Sequence, residues 1–173
     1  KDILHKSDAG GVKLNLSGEA ALSEAYQQIM TSARAYDPSA EVEGVLATPM
    51  AKKGVEVIIG MMRDPIFGPV LMFGLGGIFV ELFEDVAFRA LPLSRFDAAG
   101  MIDQIKAKKV FEGIRGAEAI DKEALIELLL KVAHIVEAYP QIQELDLNPV
   151  IAYPQGYAVV DARVIVARAT HST

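Results

Sequence analysis

The chain contains no cysteine, has fewer positive than negative side chains, and lacks a long uninterrupted apolar run. Without cysteine, neither a disulfide framework nor a cysteine-based zinc site can form. The longest apolar stretch, residues 67–80, is interrupted by four glycines and a proline, whereas a membrane helix needs roughly 20 apolar residues. A formal net charge of −6 without a cluster of Lys and Arg argues against a nucleic-acid surface. We therefore expect no membrane and no nucleic-acid partner.

Length and the N-terminal sequence bear on organisation and location. A chain of 173 residues can form one domain with a substantial core, or two small lobes. Residues 1–8 lack the apolar segment of a signal peptide and an initiator methionine. We expect a piece cut from a longer cytoplasmic protein.

Apolar periodicity predicts both strands and helices. Helices are expected from about residue 17 to 37, at 97–107, and from a cap at Asp121 to residue 139. Helical spacing places four residues of the first helix on one face (Leu22, Tyr26, Ile29 and Ala33) and five residues of the last on its buried side (Leu125, Leu128, Leu129, Val132 and Val136). Because these elements do not alternate as regular β-α-β units, the pattern favours an α+β architecture. The predicted strands are at residues 12–16, 42–50, 55–62, 69–73, 78–82 and 86–93, followed by a hairpin near the C-terminus.

That hairpin is the most informative segment, because its register can be predicted. Two alternating apolar runs flank Pro-Gln-Gly at residues 154–156. If 154 and 155 form a two-residue loop, paired residue numbers sum to a constant, and Asn148 lies opposite Asp161. Side chains opposite each other have Cβ atoms about 4.5–5.5 Å apart. Asp146 shares the face of Asn148, because strand side chains alternate with a period of two.

Three oxygen-bearing side chains are thus predicted to converge on one surface of an apolar hairpin. Oxygen donors suit a hard cation such as Mg²⁺, which proteins hold through one or two carboxylates, with water and phosphates completing the shell. The alternative is a solvated polar patch in which Arg163 neutralises Asp146. The residues alone leave both interpretations open.

Two further segments are compatible with handling phosphate. His5 lies in HKSDAGG, where it could act as a nucleophile near neutral pH, or could be an ordinary turn residue. The glycines of residues 74–77 could wrap a phosphate through backbone N–H groups, although a strand-to-strand turn uses the same residues. Arg63 and Arg115 are candidate loop cations. Together these features suggest phosphoryl transfer, in which a protein positions groups and neutralises charge.

Four ordered motifs also resemble those of one enzyme family. The similarity covers about residues 2–166 and resembles the ATP-grasp region of NDP-forming acyl-CoA synthetases. That group includes ADP-forming acetate–CoA ligase and is related to the succinyl-CoA synthetase β subunit. The motifs are DILHKSDAGGV at residues 2–12, GVEVIIGMMRDPIFGPV at 54–70, FGLGGIFVEL at 73–82, and LDLNP at 145–149.

The resemblance implies a partial ATP-grasp fold that holds ATP or ADP and Mg²⁺ between two α+β lobes. Residues 1–47 would be the remnant of a truncated first lobe. Residues 48–166 would form the second lobe, with an antiparallel sheet and helices, and residues 167–173 would be a linker. An exposed edge in the truncated first lobe would favour homodimer formation.

The resemblance also implies roles for individual residues. Asn148 and Asp161 match the metal ligands, and Asp146 is a third ligand or a partner of the ligands. Glu56 matches an acidic position near the nucleotide. His5 matches a histidine that relays phosphate between a phosphohistidine elsewhere and ADP. The nucleotide-binding positions are Thr48 and Met50 in a hinge that contacts adenine, with Glu56, Gly76 and Gly77.

The implied partners are the CoA-binding and ligase domains, on the same chain or on another subunit, without which this fragment should not turn over acyl-CoA. Residues 166–173 resemble a linker that leads into a GNAT acetyltransferase domain in fused bacterial proteins. An alternative function is therefore a non-catalytic module that senses nucleotide or acyl-CoA within a protein lysine acetyltransferase.

Overall fold

The computed structural model describes residues 9–77, 85–113 and 118–167. The chain divides into two compact units, Lys1–Met50 and Ala51–Thr173. The assignment of residues 1–47, 48–166 and 167–173 to two lobes and a linker remains a prediction.

The first unit contains one long helix, α1, which spans Gly18–Tyr36 and confirms the predicted element. Its buried residues are Ala25 and Ala33, which lie two turns apart on one side of the helix. Of the four residues predicted to share one face, Ala33 is buried and Ile29 is half-buried, but Leu22 and Tyr26 are 47% and 44% exposed. The fully buried contact of α1 is therefore formed by small alanines, and the side chains of Leu22 and Tyr26 lie outside it.

The prediction of two strands in the first unit is wrong. Residues 12–16 and 42–50 form no strand, and among residues 9–50 the structure shows no other strand to pair with them. Asn15 has a φ of 58°, which breaks an extended run at its centre. Alternating sequence alone does not make a strand, because the backbone groups need a ladder partner.

The second unit is built on an antiparallel sheet, as predicted. Strand order is β3-β2-β1-β4, and both β5 and β6 pair with β4. The predicted strands at 55–62, 69–73 and 86–93 are found with small shifts at their ends. The strands are β1 Val55–Asp64, β2 Gly68–Leu75, β3 Val86–Ala90, β4 Ile142–Ala152, β5 Tyr157–Val159 and β6 Ala162–Val166.

Two helices and a 3-10 turn accompany the sheet. Helix α2 spans Arg95–Gln104 and begins with a capping box between Ser94 and Asp97. The 3-10 turn spans Lys108–Glu112. Helix α3 spans Lys122–Ala138, capped by Asp121 as predicted.

The helices pack on one face of the sheet and form the core with it. The predicted inner face of α3 is buried throughout: Leu125, Leu128, Leu129, Val132 and Val136. From the sheet, the core takes alternate residues, among them Val57, Ile59, Met61, Leu71, Phe73, Leu75, Leu145 and Leu147. Strand alternation and register place another set on the opposite side, called the second face below: Glu56, Gly60, Met72, Asp146 and Arg163.

None of the described helices has both the length and the apolar character required to cross a membrane. The predicted strand at 78–82 and the predicted linker beyond residue 167 lie outside the described residues, as do His5 and Arg115.

Candidate functional site

The C-terminal hairpin has the predicted register. Val150 pairs with Val159, and Ala152 pairs with Tyr157. The turn is closed by a hydrogen bond in which the Tyr153 backbone N–H donates to the Gly156 carbonyl at 3.0 Å. The two-residue loop predicted from Pro-Gln-Gly is therefore present.

The same register continues into β6 and brings two polar residues together. Leu147 pairs with Ala162, and Asp146 pairs with Arg163. Between these pairs, the Asn148 backbone N–H donates to the Asp161 carbonyl at 3.2 Å. Asn148 and Asp161 are thus adjacent across the strands, as predicted.

Alternation along β4 separates polar from apolar residues. Leu145 and Leu147 are buried in the core beneath the sheet. Asp146 is half-buried and Asn148 is exposed, as is Asp161. Asp146 and Asn148 therefore lie on the second face, with oxygen atoms available on the same side of the sheet.

A β-bulge, which the sequence analysis did not predict, lies at this point. The register between β1 and β4 shifts by one residue between Val57 and Ile59, which pair with Val150 and Leu147. The residues at 148 and 149 therefore lie opposite one residue of β1, and a bulge of this kind re-aims a side chain. The signal in the sequence was the proline at 149, because proline inside a strand occurs at edges or bulges.

The charges on the second face are electrostatically coupled. Burial raises the pKa of the Asp146 carboxyl, the Arg163 guanidinium opposes that rise, and the Asp161 carboxylate adds to it. Arg163 also forms an ion pair with Glu144, with 3.4 Å between Nη2 and Oε2. The polar-patch alternative is thus correct that Arg163 offsets the charge of Asp146, but the ion pair itself is made with Glu144.

The donor set fits a hard cation such as magnesium better than a metal that prefers nitrogen or sulfur ligands. Asn148, Asp146 and Asp161 offer one amide and two carboxylate oxygen donors, the ligand chemistry that hard cations prefer. Across the described ranges, no cluster of three or more His, Cys, Asp and Glu residues could hold a metal by itself. A cation here would therefore need oxygen atoms from water or a phosphate ligand, which is how Mg²⁺ is commonly held.

A second group of predicted residues also lies together. The Gly76 backbone N–H donates to the Glu56 carbonyl at 2.7 Å. A Cβ on Gly76 would lie 2.9 Å from Glu56 Cβ, and a Cβ on Gly77 would lie 3.3 Å from Glu56 Oε2. Gly77 also has a φ of 63°. Packing against Glu56 and a positive φ thus require glycine here before any phosphate is considered.

Of the remaining predicted residues, Thr48 and Met50 belong to the first unit, where both are exposed, and His5 lies outside the described residues. Gly10 of the HKSDAGG motif has a φ of 66°, and a Cβ there would lie 3.1 Å from Ser32 Oγ. Close approach to α1 therefore accounts for this glycine.

Arg63, suggested by sequence as a loop cation, has a structural position instead. Its guanidinium donates to the Ile142 carbonyl at 2.6 Å and to the Val136 carbonyl at 3.1 Å. These bonds tie the end of α3 and the start of β4 to β1. The suggestion that Arg63 handles phosphate charge is therefore wrong for this structure.

Asp121 supports the hairpin in a way the sequence analysis missed. Its carboxylate accepts from the Ala124 N–H and from the Gly156 N–H, each at 3.0 Å. Its own N–H donates to the Tyr153 carbonyl at 2.8 Å. Both hydrogen bonds of the carboxylate lower the pKa of Asp121. The cap was readable from sequence, but its link to the hairpin turn depends on the tertiary fold.

Asp85 is a second residue that sequence reasoning did not single out for this position. It is 3% exposed, and its two carboxylate oxygens accept from the Lys106 N–H at 2.8 Å and the Ala107 N–H at 2.9 Å. Two backbone donors satisfy this buried carboxyl group, so Asp85 fixes the start of β3 to the segment after α2.

Comparison with known proteins places these motifs in a family. Residues 1–166 match the model of the ATP-grasp domain family. The chain is 48% identical over 164 residues to the β subunit of acetate–CoA ligase [ADP-forming] I from Pyrococcus furiosus, covering 95% of this chain and 71% of that subunit. It is 45% identical over 165 residues to acetate–CoA ligase [ADP-forming] I from Archaeoglobus fulgidus, covering 95% of this chain and 24% of the relative.

Solved structures agree with this match. The dinucleotide-forming acetyl-coenzyme A synthetase 1 of Ca. Korarchaeum cryptofilum, in complex with coenzyme A, Ca-AMPCP and HgCl⁺, has a TM-score of 0.87 at 50% identity, with 96% of this chain and 72% of that chain covered. A complex of the same enzyme with coenzyme A and Mg-AMPPCP has a TM-score of 0.81 at 49% identity, covering 95% and 71%. The chain belongs to the ATP-grasp domain family and is the ATP-grasp portion of an ADP-forming acyl-CoA synthetase.

Proposed function

We propose that this chain binds ADP or ATP with Mg²⁺ and transfers a phosphoryl group between a phosphohistidine and the nucleotide, as part of an acid–CoA ligase. The observation that carries the proposal is the pairing of Asn148 with Asp161, with Asp146 on the same face. The Ca. Korarchaeum cryptofilum complex supports it, because that enzyme was solved with Mg-AMPPCP and a phosphohistidine segment that points towards its nucleotide binding site.

In this proposal Asn148 and Asp161 hold the magnesium ion, and Asp146 is a third ligand or orients them. The ion supplies positive charge that offsets the phosphates. The role of the chain's own residues is to hold oxygen donors in place: Asn148 lies in β4, and Asp161, directly before β6, accepts a backbone hydrogen bond from Asn148. Glu56, Gly76 and Gly77 would lie beside the phosphates, and Thr48 and Met50 beside the adenine.

His5 is proposed to receive the phosphoryl group and pass it on. The P–N bond of a phosphohistidine elsewhere in the enzyme breaks as a P–N bond to His5 forms. That second bond then breaks as an oxygen of ADP attacks the phosphorus, which yields ATP and restores the imidazole. Asp8 is proposed to orient the ring, as carboxylates orient other catalytic histidines.

The His5 proposal predicts a specific block in the complete enzyme. His5→Ala should still form the upstream phosphohistidine from acyl-CoA and phosphate but should make no ATP. His134→Ala is the matched control, because His134 is exposed on α3 and should have no effect. ATP production by His5→Ala at the rate of the unmodified enzyme would remove the assignment.

The complete activity requires more protein than this chain. The chain spans 71% of the Pyrococcus furiosus β subunit and 24% of the Archaeoglobus fulgidus ligase. We propose that CoA-binding and ligase domains complete the enzyme, on the same chain or a partner subunit, and that the enzyme works in the cytoplasm, where its nucleotides are. The GNAT-linked sensing alternative receives no support from the relatives. The edge strand that motivated a homodimer is not formed.

The metal proposal is tested by calorimetry on the complete protein. Asp161→Ala should abolish Mg²⁺-dependent binding of ADP while leaving the fold intact, because Asp161 is exposed. Asp103→Ala is the control, since Asp103 is an exposed carboxylate on α2 outside the proposed site. An unchanged affinity of the Asp161 variant for Mg-ADP would refute the assignment.

A further inference from the structure

One row of residues crosses five strands of the second face. The registers join neighbours in the order Phe88, Met72, Gly60, Asp146 and Arg163. The row changes from apolar at β3 to charged at β4 and β6. Arg163 therefore lies at the charged end of this row, and the other end, at Phe88 and Met72, is apolar.

Arg163 is the basic residue that alternation assigns to this face among the described strands. Arg63 and Arg89 point the other way: Arg63 bonds to the end of α3, and Arg89 bonds to Gln104 of α2. The residues near Arg163 are carboxylates, namely Glu144 in an ion pair and Asp146 directly opposite. Positive charge on this face is thus concentrated in one guanidinium.

The ion pair that holds Arg163 can be broken at little cost. Its side chain is 48% exposed and that of Glu144 is 51% exposed. Exposed ion pairs contribute little, because water screens them and two long side chains must be ordered. The 3.4 Å contact joins one guanidinium nitrogen, Nη2, to Oε2 of Glu144, whereas a guanidinium carries five N–H donors.

Arg163 also lies within reach of the proposed metal pair. Residues two apart on an extended strand are separated by about 7 Å, and Asp161 is two residues before Arg163. A guanidinium on its flexible stem spans that distance. A phosphate held beside Asn148 and Asp161 could therefore accept two parallel hydrogen bonds from the guanidinium of Arg163, which is the bidentate geometry in which arginine binds phosphate.

We propose that Arg163 binds the terminal phosphate of the nucleotide, exchanging its ion pair with Glu144 for a bond to phosphate oxygens when the nucleotide arrives. The inference rests on the proposed nucleotide site and adds a residue that distinguishes nucleotides by their phosphates. AMP lacks the terminal phosphate of ADP, which is the group that Arg163 contacts in this proposal. Arg163 therefore favours binding of ADP over binding of AMP.

The experiment measures binding of AMP, ADP and AMPPCP to the complete protein by calorimetry with Mg²⁺ present. Arg163→Gln should weaken the binding of ADP and of AMPPCP about 10- to 100-fold, which is the loss of affinity expected when a hydrogen bond to a charged group is removed. The affinity for AMP should change little. Arg163→Lys should retain part of the affinity, because it keeps the charge without the fork.

Glu144→Gln is the matched control, because it removes the same ion pair and leaves the guanidinium. It should bind ADP as tightly as the unmodified protein, or more tightly. Equal losses in Glu144→Gln and Arg163→Gln, or equal losses for AMP and ADP, would show that Arg163 only supports the sheet and would overturn the proposal. Failure of the unmodified protein to bind Mg-ADP would instead refute the proposed function, and the inference with it.

Discussion

Replacing Gly76 by alanine tests the packing beneath the glycine motif. An added Cβ would lie 2.9 Å from Glu56 Cβ, 3.1 Å from Glu56 C and 3.2 Å from Glu56 O. These atoms belong to the backbone of β1 or are bound directly to it, so they cannot rotate away. Alanine for glycine in open space would stabilise by about 0.4–1 kcal/mol through the unfolded chain. Overpacking costs about 1–3 kcal/mol, so we expect net destabilisation.

Thermal denaturation followed by circular dichroism measures the effect. For a chain of this size, the overpacking cost corresponds to a fall in Tm of roughly 2–12 °C. Gly44→Ala is the control, because nothing lies within 4 Å of its Cβ position. Glu56→Gly in the Gly76→Ala background should restore part of the loss by removing the nearest atom. Equal stability of the Gly76→Ala and Gly44→Ala proteins would refute the packing argument.

Three further predictions concern stability. Asp146→Asn should raise Tm in chelator at pH 7, because burial raises the pKa of the Asp146 carboxyl above its ordinary value. The stability that this carboxyl contributes is fully present below the ordinary pKa of an aspartate and is lost as pH rises through the raised pKa. The advantage of asparagine should therefore shrink in a pH series towards acid, and Mg-ADP should reverse it; a lower Tm in chelator would contradict this. Asp121→Asn should destabilise less than Asp121→Ala in the same scan, because an amide oxygen can still cap α3, whereas the amide NH₂ cannot accept from Gly156; equal losses would show that the cap contributes nothing and that only the bond to Gly156 matters. Leu129→Ala, at a fully buried position, should lower the free energy of unfolding by about 2–5 kcal/mol in urea. A decrease no larger than that of an exposed substitution would show that α3 lies outside the core.

The sequence predicted those features that depend on local pattern and turn chemistry. The hairpin register followed from Pro-Gln-Gly and two alternating runs, so the juxtaposition of Asn148 and Asp161 could be worked out without coordinates. The buried face of α3 followed from helical spacing in the same way. Both features depend on residues that are close in the sequence.

Features that depend on tertiary contacts could not be predicted. The bond from Asp121 to Gly156 and the bonds from Arg63 to α3 and β4 join residues far apart in the chain. The false strand at 12–16 shows the converse error, since alternation was present but no partner strand was. The bulge at 148 and 149 re-aims Asn148; the proline at 149 is compatible with a bulge, but the residue of β1 that lies opposite it follows only from the register between β1 and β4.

The most direct test of the central claim is a crystal structure of the complete protein with ADP and Mn²⁺, with manganese located by its anomalous signal. The account predicts one manganese peak within roughly 2.0–2.6 Å of the Asn148 and Asp161 side-chain oxygens, in contact with the nucleotide phosphates. A manganese–nucleotide complex bound elsewhere, with Asn148 and Asp161 facing only water, would contradict the account.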